Sequence, residues 1–459
     1  MKNQVFASKK SSVKVLTLIS IAIVVIVLYS CIQNRQKSDE KVDTAVAVKN
    51  SEKYSPEDSV RREWFRQAHF GMFIHMGAYS VAARGEWVMN RELIPYEEYK
   101  TKYAEKFTAE NFDPEKWAEI AKKAGMKYMV FGTRHHDGFC LWDTKTKEFN
   151  SMNYGPKKDL VRLFVNAARK AGLKVGLYYS AADWTHPDYP PFERDWPTTW
   201  RSEEARKRFV EFYKSQVREL MTNYGKIDIL WWDGTAPEDG LEGEEINKEV
   251  YKLQPGILIN NRNGEPCDFG TPENVIKEGA KRKPWEACLT MNDNWGYHAT
   301  DHNFKSSKEV IKSLIKCVSL GGNLLLNVGP KPDGTFPEES VKVLGEVGDW
   351  LNKNHEFIDG HTGRSDFTDL WNNSLIPTVN GNKLYLHFNN PPADGEFCYA
   401  EIKNKVLSVK FLETGKNIEF RKTGPRLFLL NLPKFDEYTI TIVVVEVKGK
   451  LEVAQIRTD

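Results

Sequence analysis

The chain has few cysteines and no order among them. Six occur in 459 residues, and no two stand at the short spacing of a zinc ligand pair or a disulfide framework. A domain of this size needs no staples, so Cys140, Cys267, Cys288, Cys317 and Cys398 are expected to be mostly buried thiols. An excess of either charge is missing too. Lys and Arg total 65 against 63 Asp and Glu, a formal charge of +2, and no basic stripe could follow a phosphate backbone. No nucleic-acid partner is therefore expected. No apolar run reaches the ~20 residues that span a bilayer, no HxH or HExxH pair occurs, and no internal repeat is visible.

What is present is aromatic weight, with 13 Trp and 18 Tyr, which serves core packing and stacking on flat sugar rings equally well. The N-terminus carries Lys2, Lys9, Lys10 and Lys14, then the apolar run Val15 to Leu28, then Tyr29-Ser30-Cys31. This is the pattern of an export signal. Its ending resembles a bacterial lipoprotein signal, with Cys31 as the lipidated residue and Tyr29 bulkier than usual in that place. Residues 1–31 are read as this signal and residues 32–58, polar and without periodicity, as a tether. The body of the protein is expected to be exported, to the periplasm or cell surface, and to meet a membrane only through that N-terminal lipid or signal anchor.

From residue 59 to about 358, strand-like runs alternate with amphipathic helices. The strands are expected at His69 to His75, Lys127 to His136, Leu173 to Ser180, Ile227 to Asp233, Ile257 to Arg262, Trp285 to Thr290 and Asn323 to Val328, with an eighth missing or irregular. Helices are read at Asp113-Pro114 to Gly125, Asp159 to Ala171, Ser202 to Tyr224, Glu244 to Leu253, Ser306 to Leu320 and Glu338 to Asn354. The rhythm predicts a parallel sheet closed as a distorted (β/α)8-like TIM barrel. Beyond it, residues 359–459 show short alternating runs, at Leu384 to Phe388, Val406 to Leu412, Leu427 to Leu432 and Tyr438 to Val447, which predict a C-terminal antiparallel β-sandwich.

The segment Ile227-Asp228-Ile229-Leu230-Trp231-Trp232-Asp233-Gly234 is the focus of the barrel. A buried strand runs out into aromatic walls, a carboxylate and a glycine that lets the backbone turn away. Asp233 is thus placed as a nucleophile or base, although a helix cap would use the same residue. The other strand ends are also polar: His75, then His135, His136 and Asp137, then Tyr178, Arg262 and, within the next strand, Glu286. In a barrel such ends converge on one face. Carboxylates, histidines, an arginine and aromatic faces suit a sugar-cleaving site. A metal reading competes through His75, His135, His136 and Asp137, but neighbours in a strand project to opposite faces, so His135 and His136 share an ion only where the strand has ended.

The motifs FGMFIHMGAYS from Phe70, GEWVMNR from Gly85, FGTRHHDGFCLWDT from Phe131, GLYYSAADW from Gly176, WWDG from Trp231, DFGTPE from Asp268, PWEACLTMNDNWGY from Pro284 and GGNLLLNVGPKPDG from Gly321 resemble family 29 glycoside hydrolases, the α-L-fucosidases. The resemblance runs in order from about residue 60 to 355. It implies a retaining, exo-acting enzyme that removes terminal α-L-fucosyl residues from glycans by double displacement, with no cofactor or metal. Asp233 falls on the family nucleophile and Glu273 on the acid/base, with Glu286 as the alternative. His75, Glu86, Trp87, His135, His136, Tyr178, Trp231, Arg262 and Trp295 fall on sugar contacts. A catalytically silent fucose-binding surface lipoprotein is the reading from a different class, and the presence of both carboxylates speaks against it.

Overall fold

Alternation along the strands sorts the side chains into an inner and an outer layer. The structure, a computed structural model, describes residues 56–191, 199–234, 240–277, 283–359, 375–390, 392–400, 402–436 and 438–452. The signal-like segment, Cys31 and most of the tether lie outside the described residues. Helix α1 (Pro56–Ala68) precedes strand β1 (Phe70–Ile74). There follow α2 (Pro114–Lys123), β2 (Tyr128–Arg134), α3 (Leu160–Lys170), β3 (Lys174–Ser180), α4 (Glu203–Asn223), β4 (Ile229–Asp233), α5 (Gly243–Leu253), β5 (Leu258–Ile259), β6 (Glu286–Thr290), α6 (Ser307–Ser319), β7 (Asn323–Val328) and α7 (Glu338–Asn354).

The seven strands form one parallel sheet in the order β5-β4-β3-β2-β1-β7-β6. The two edges do not face an open gap. Residues 268–274 run between them, bridging Asn260 to Phe269 on one side and Gly270 to Trp285 and Glu273 to Cys288 on the other, all parallel. This irregular stave stands where an eighth strand is missing from the sequence pattern. Its pairing is one residue at a time, and Pro272 has no N–H to give.

Phe73, Tyr128, Val130, Tyr178, Ile229, Trp231, Leu258, Phe269, Cys288 and Leu325 fill the barrel interior. They recur at every second position of their strands, as a pleated strand demands. The intervening residues meet the helices: Trp232 donates to Asn247 on α5 at 3.0 Å and stacks on Tyr213 of α4, with ring centroids 5.4 Å apart. Because Ile229, Trp231 and Asp233 share a face, the aspartate comes out inside the barrel mouth.

Helix α1 begins two residues before the expected end of the tether and belongs to the barrel. Phe65 and Ala68 are buried in the same interior cluster, Phe65 packs 4.7 Å from the Phe269 ring, and Arg61 and Arg62 pair with the buried Asp268. The helix thus covers the end where the strands begin and ties itself to the irregular stave. Helix N-termini are capped as their sequences suggest, by Asp113, Asp159, Ser202 and Ser306, the last in a capping box with Glu309.

The C-terminal region consists of β8 (Leu375–Asn380), β9 (Lys383–Phe388), β10 (Phe397–Tyr399), β11 (Val406–Phe411), β12 (Glu419–Thr423), β13 (Arg426–Leu430) and β14 (Thr441–Val447). They form an antiparallel four-stranded sheet, β11-β14-β9-β8, and a three-stranded one, β10-β13-β12. The two share one apolar cluster that includes Leu386, Phe388, Tyr399, Leu427, Leu429 and Val443. Trp350 of α7 donates to the Ile440 carbonyl at 2.9 Å and joins this layer to the barrel helices.

Candidate active site

At the barrel mouth a cavity of about 470 Å³ is lined by Phe73, His75, Trp87, His135, His136, Tyr178, Trp231, Asp233, Gly234, Arg262, Glu273, Cys288 and Trp295. Strand geometry puts several of them there. Phe73 lies two residues before His75, Cys288 two after Glu286, and Trp231 two before Asp233, each pair on one face of its strand.

Asp233 is the best-supported side chain in the cavity. Its Oδ1 accepts from Arg262 Nη1 at 2.6 Å, its Oδ2 accepts from the Tyr178 hydroxyl at 2.8 Å, and His136 Nε2 stands 3.6 Å from Oδ2. Burial pushes the carboxyl up, but His136, Arg262, the Tyr178 hydroxyl and the Gly234 N–H outweigh it and hold the group below its ordinary value. Asp233 is therefore ionised at neutral pH. Gly234 has φ of +76°, and a Cβ there would come within 3.2 Å of His136 Cε1, so the turn behind the carboxylate needs glycine.

Arg262 sits on a single 3-10 turn after β5, where the sequence pattern predicts continued strand. The turn swings its guanidinium over the Trp231 ring, 4.6 Å from the centroid. Its Nη2 donates to Glu273 Oε2 at 2.8 Å and its Nε to Thr271 Oγ1 at 3.0 Å. Glu273 is not on a free loop. The backbone on either side is pinned to β6 by Cys288 N–H to Pro272 O, 3.1 Å, and Asn274 N–H to Cys288 O, 2.9 Å. Its side chain is 42% exposed, at the cavity mouth.

Glu286 is fully buried and lies under the cavity floor rather than in it. Its two oxygens accept from Tyr128 Oη at 2.5 Å and from Trp231 Nε1 at 2.7 Å. Burial pushes its carboxyl up to about 7, against both hydrogen bonds. Glu86, expected among the sugar contacts, does not line the cavity. It is buried, and its Oε2 accepts the Gly296 N–H at 2.8 Å, so it holds the turn that carries Trp295. Burial raises its pKa.

The histidines converge. β2 ends at Arg134, so His135 and His136 are free of strand alternation, and their rings lie 4.0 Å apart. Desolvation holds His75 and His136 near a pKa of about 4 and His135 well below its ordinary value, so all three are neutral at pH 7. His136 Nδ1 meets Ser180 Oγ at 2.7 Å while that hydroxyl donates its one proton to the Ala182 carbonyl at 2.7 Å, so His136 carries a proton on Nδ1. Trp87 stands edge-on to His136, 5.5 Å away, with Trp184 behind it at 5.2 Å.

The four residues weighed for a metal do not assemble: Asp137 turns away and accepts from the Tyr99 hydroxyl at 2.7 Å. His135, His136 and Asp233 instead bring ligand atoms within 4.8 Å of one another. Both oxygens of Asp233 are already engaged by Arg262 and Tyr178, and the Arg262 charge at 2.6 Å opposes a cation there. His298 and His302, given no role from sequence, line a separate cavity of about 250 Å³. Sequence reasoning does not find Cys288, Phe73, Ser180 and Asn327. Period-two counting from Glu286 and His75 would reach the first two, but Ser180 and Asn327 act behind the wall and leave no such trace.

The α-L-fucosidase sequence family matches residues 39–356. The chain belongs to the α-L-fucosidase family. It is 33% identical to human plasma α-L-fucosidase over 418 residues, which covers 81% of this chain and 85% of that one. Among solved structures, α-L-fucosidase isoenzyme 1 from Paenibacillus thiaminolyticus superposes with a TM-score of 0.78 at 37% identity, over 86% of this chain and 100% of that one. A family 29 α-L-fucosidase from Bacteroides thetaiotaomicron, trapped as a covalent intermediate with 2-fluoro-fucosyl fluoride in a glutamate-to-glutamine mutant, gives 0.76 at 27% identity, over 85% and 96%. The family match ends at residue 356, with the last barrel helix, while the two solved structures cover 86% and 85% of this chain.

Proposed function

We infer that this chain is a retaining α-L-fucosidase in which Asp233 is the nucleophile and Glu273 the acid/base. The observation that carries the assignment is the shared Arg262, which holds one carboxylate low and ionised inside the cavity and the other at its mouth. Asp233 attacks the anomeric carbon and forms a glycosyl ester as the bond to the leaving oxygen breaks. Glu273 gives that oxygen its proton, then removes a proton from the water that hydrolyses the ester. The charge that develops on the ring in each step is oxocarbenium-like, and the Asp233 carboxylate lies beneath it.

Burial of Glu286 beneath Trp231 supports a positioning role for that residue, since no leaving group could reach it. Phe73 and Trp231, which line the cavity, are buried in the apolar barrel interior, an arrangement that suits a terminal sugar and hence exo action. Neutral His75, His135 and His136 face ring hydroxyls, while Phe73, Trp231 and Trp295 offer the C6 methyl an apolar wall. The substrate is a fucosylated oligosaccharide or glycoconjugate. A silent binding protein would not need two carboxylates on one guanidinium.

Hydrolysis of 4-nitrophenyl α-L-fucoside tests this reading, with the same assay on the β-anomer as control. Release from the α-anomer alone is expected, and fucose binding without turnover of any fucoside would overturn it. We further propose that the protein is exported and anchored through Cys31, on the strength of the basic, apolar and cysteine order of residues 1–31. Palmitate labelling that survives in Cys31→Ala would refute that anchor. Among the described residues no helix is long and apolar enough to cross a membrane.

A further inference from the structure

We propose that Asn327 is a positioning residue of the sugar pocket: its carboxamide fixes His75 as the tautomer with the proton on Nδ1, so that Nε2 meets the sugar as an acceptor, and it holds the Trp295 wall in place. The proposal rests on the fucosidase reading above for its consequences in catalysis, but not for the tautomer itself.

The hydrogen bonds fix the tautomer in two steps. Asn327 Nδ2 donates to the Trp295 carbonyl at 2.7 Å. A flipped amide would set two carbonyl oxygens against each other at that distance, so the nitrogen end belongs on Trp295. The oxygen end then faces His75 Nδ1, also at 2.7 Å. An amide oxygen only accepts, so Nδ1 must carry the hydrogen. The ring is neutral at pH 7, held down chiefly by burial, and Nε2 is left as a bare lone pair on a ring that lines the cavity. A hydroxyl placed against it has to donate.

Asn327 can do this because of its register. It lies on β7 opposite Phe73, four residues after Asn323, so both amides point into the barrel. Asn323 serves the far end, donating to the Phe65 carbonyl at 2.8 Å. Asn327 serves the mouth. It is 1% exposed, and a single side chain there couples an acceptor on one wall to an aromatic face on the next, with the rings of His75 and Trp295 only 5.3 Å apart. The other titratable groups facing His75 are Asp233, Arg262, His135, His136 and Tyr178.

Long-range proton–nitrogen correlation spectra of protein labelled with 15N-histidine test the assignment, with the His75 signals identified by their loss in His75→Gln. Wild type at pH 7 should show a neutral His75 with its proton on Nδ1. In Asn327→Asp a carboxylate replaces the amide oxygen, so the pH at which this ring protonates should rise by about one unit or more. A ring protonated on both nitrogens cannot accept, so the acid limb of kcat/KM should move up with it. The Trp295 carbonyl also loses its donor, which should raise KM at every pH. A wild-type proton on Nε2 would overturn the proposal, as would an Asn327→Asp protein whose His75 titration and acid limb stay in place. Should that variant not fold, the wild-type spectrum decides alone. Failure of the wild type to hydrolyse any fucoside would overturn the functional reading and leave the tautomer of His75 as the spectrum shows it.

Discussion

Asp233 and Glu273 accept from the two terminal nitrogens of one guanidinium, that of Arg262, at 2.6 and 2.8 Å. The guanidinium therefore ties both carboxyl groups to one fixed cation. The fork is itself held, by Thr271 at Nε and by the Trp231 face below. The two carboxyl groups proposed as the retaining pair therefore come from different staves and are registered by a single side chain.

Tyr178→Phe removes the hydroxyl that donates to Asp233 Oδ2 at 2.8 Å. That bond is one of the interactions that keep Asp233 below its ordinary pKa, so its loss raises the carboxyl and moves the acid limb of kcat/KM toward neutral pH. A hydrogen bond to a charged group contributes about 1.5–3 kcal/mol, so kcat/KM should fall roughly 10- to 150-fold. An acid limb that does not move would show that the hydroxyl has no hold on the nucleophile.

Glu273→Ala should lose most activity on substrates with poor leaving groups and keep more on activated ones, which need no proton. Azide should restore turnover and give a fucosyl azide of the substrate's own α configuration. Rescue of Glu286→Ala by azide instead would transfer the acid/base role to that residue.

Glu286→Gln tests the positioning role through stability. Glutamine offers one acceptor where the carboxylate offers two, so with Trp231 Nε1 on its oxygen the Tyr128 hydroxyl must give up its donation and turn to accept from the amide, a buried rearrangement that should cost about 1–3 kcal/mol. The pH dependence follows from a folded pKa of about 7. A carboxyl raised above its unfolded value of about 4.3 stabilises the fold most at low pH. That contribution declines as pH rises toward 7 and is flat beyond. The gap in melting temperature between wild type and variant should therefore be widest near pH 5 and narrow toward pH 8. A gap independent of pH would contradict the burial argument.

The proximity of His135, His136 and Asp233, within 4.8 Å, makes chelation an informative control. With Asp233 already paired to Arg262, dialysis against EDTA should leave fucoside hydrolysis unchanged. Loss of activity restored by zinc would mean that an ion takes part.

The barrel is legible in the sequence wherever a strand carries its own pattern. Ile229 to Asp233 reads as strand and as site end at once, because apolar alternation stops at a carboxylate and a glycine. Residues 268–274 carry no such pattern: the stave is built largely of Asp, Gly, Thr, Pro and Glu, and only its two neighbours make it regular enough to close the barrel. Helix α1 is hidden for a related reason. Its Arg61 and Arg62 look like solvated surface charges until Asp268 is seen buried beneath them. In the C-terminal sheets, Glu419–Thr423 alternates only between exposed and half-buried, so period two leaves no apolar signal. At the site, Glu86 and Trp87 are adjacent in sequence, yet only the tryptophan faces the cavity, because the Gly296 N–H draws the carboxylate away. Which way a turn directs two neighbouring side chains is set by the partner across the fold.

Double displacement with Asp233 as the proposed nucleophile requires that this residue become covalently glycosylated. Incubation of the wild type with 2-deoxy-2-fluoro-α-L-fucosyl fluoride, followed by proteolysis and mass spectrometry, tests this directly. The predicted result is a single fluorofucosyl adduct on the peptide that contains Asp233, absent from Asp233→Asn. An adduct on any other residue, or hydrolysis of fucosides by Asp233→Asn at the wild-type rate, would contradict the assignment of Asp233 as nucleophile.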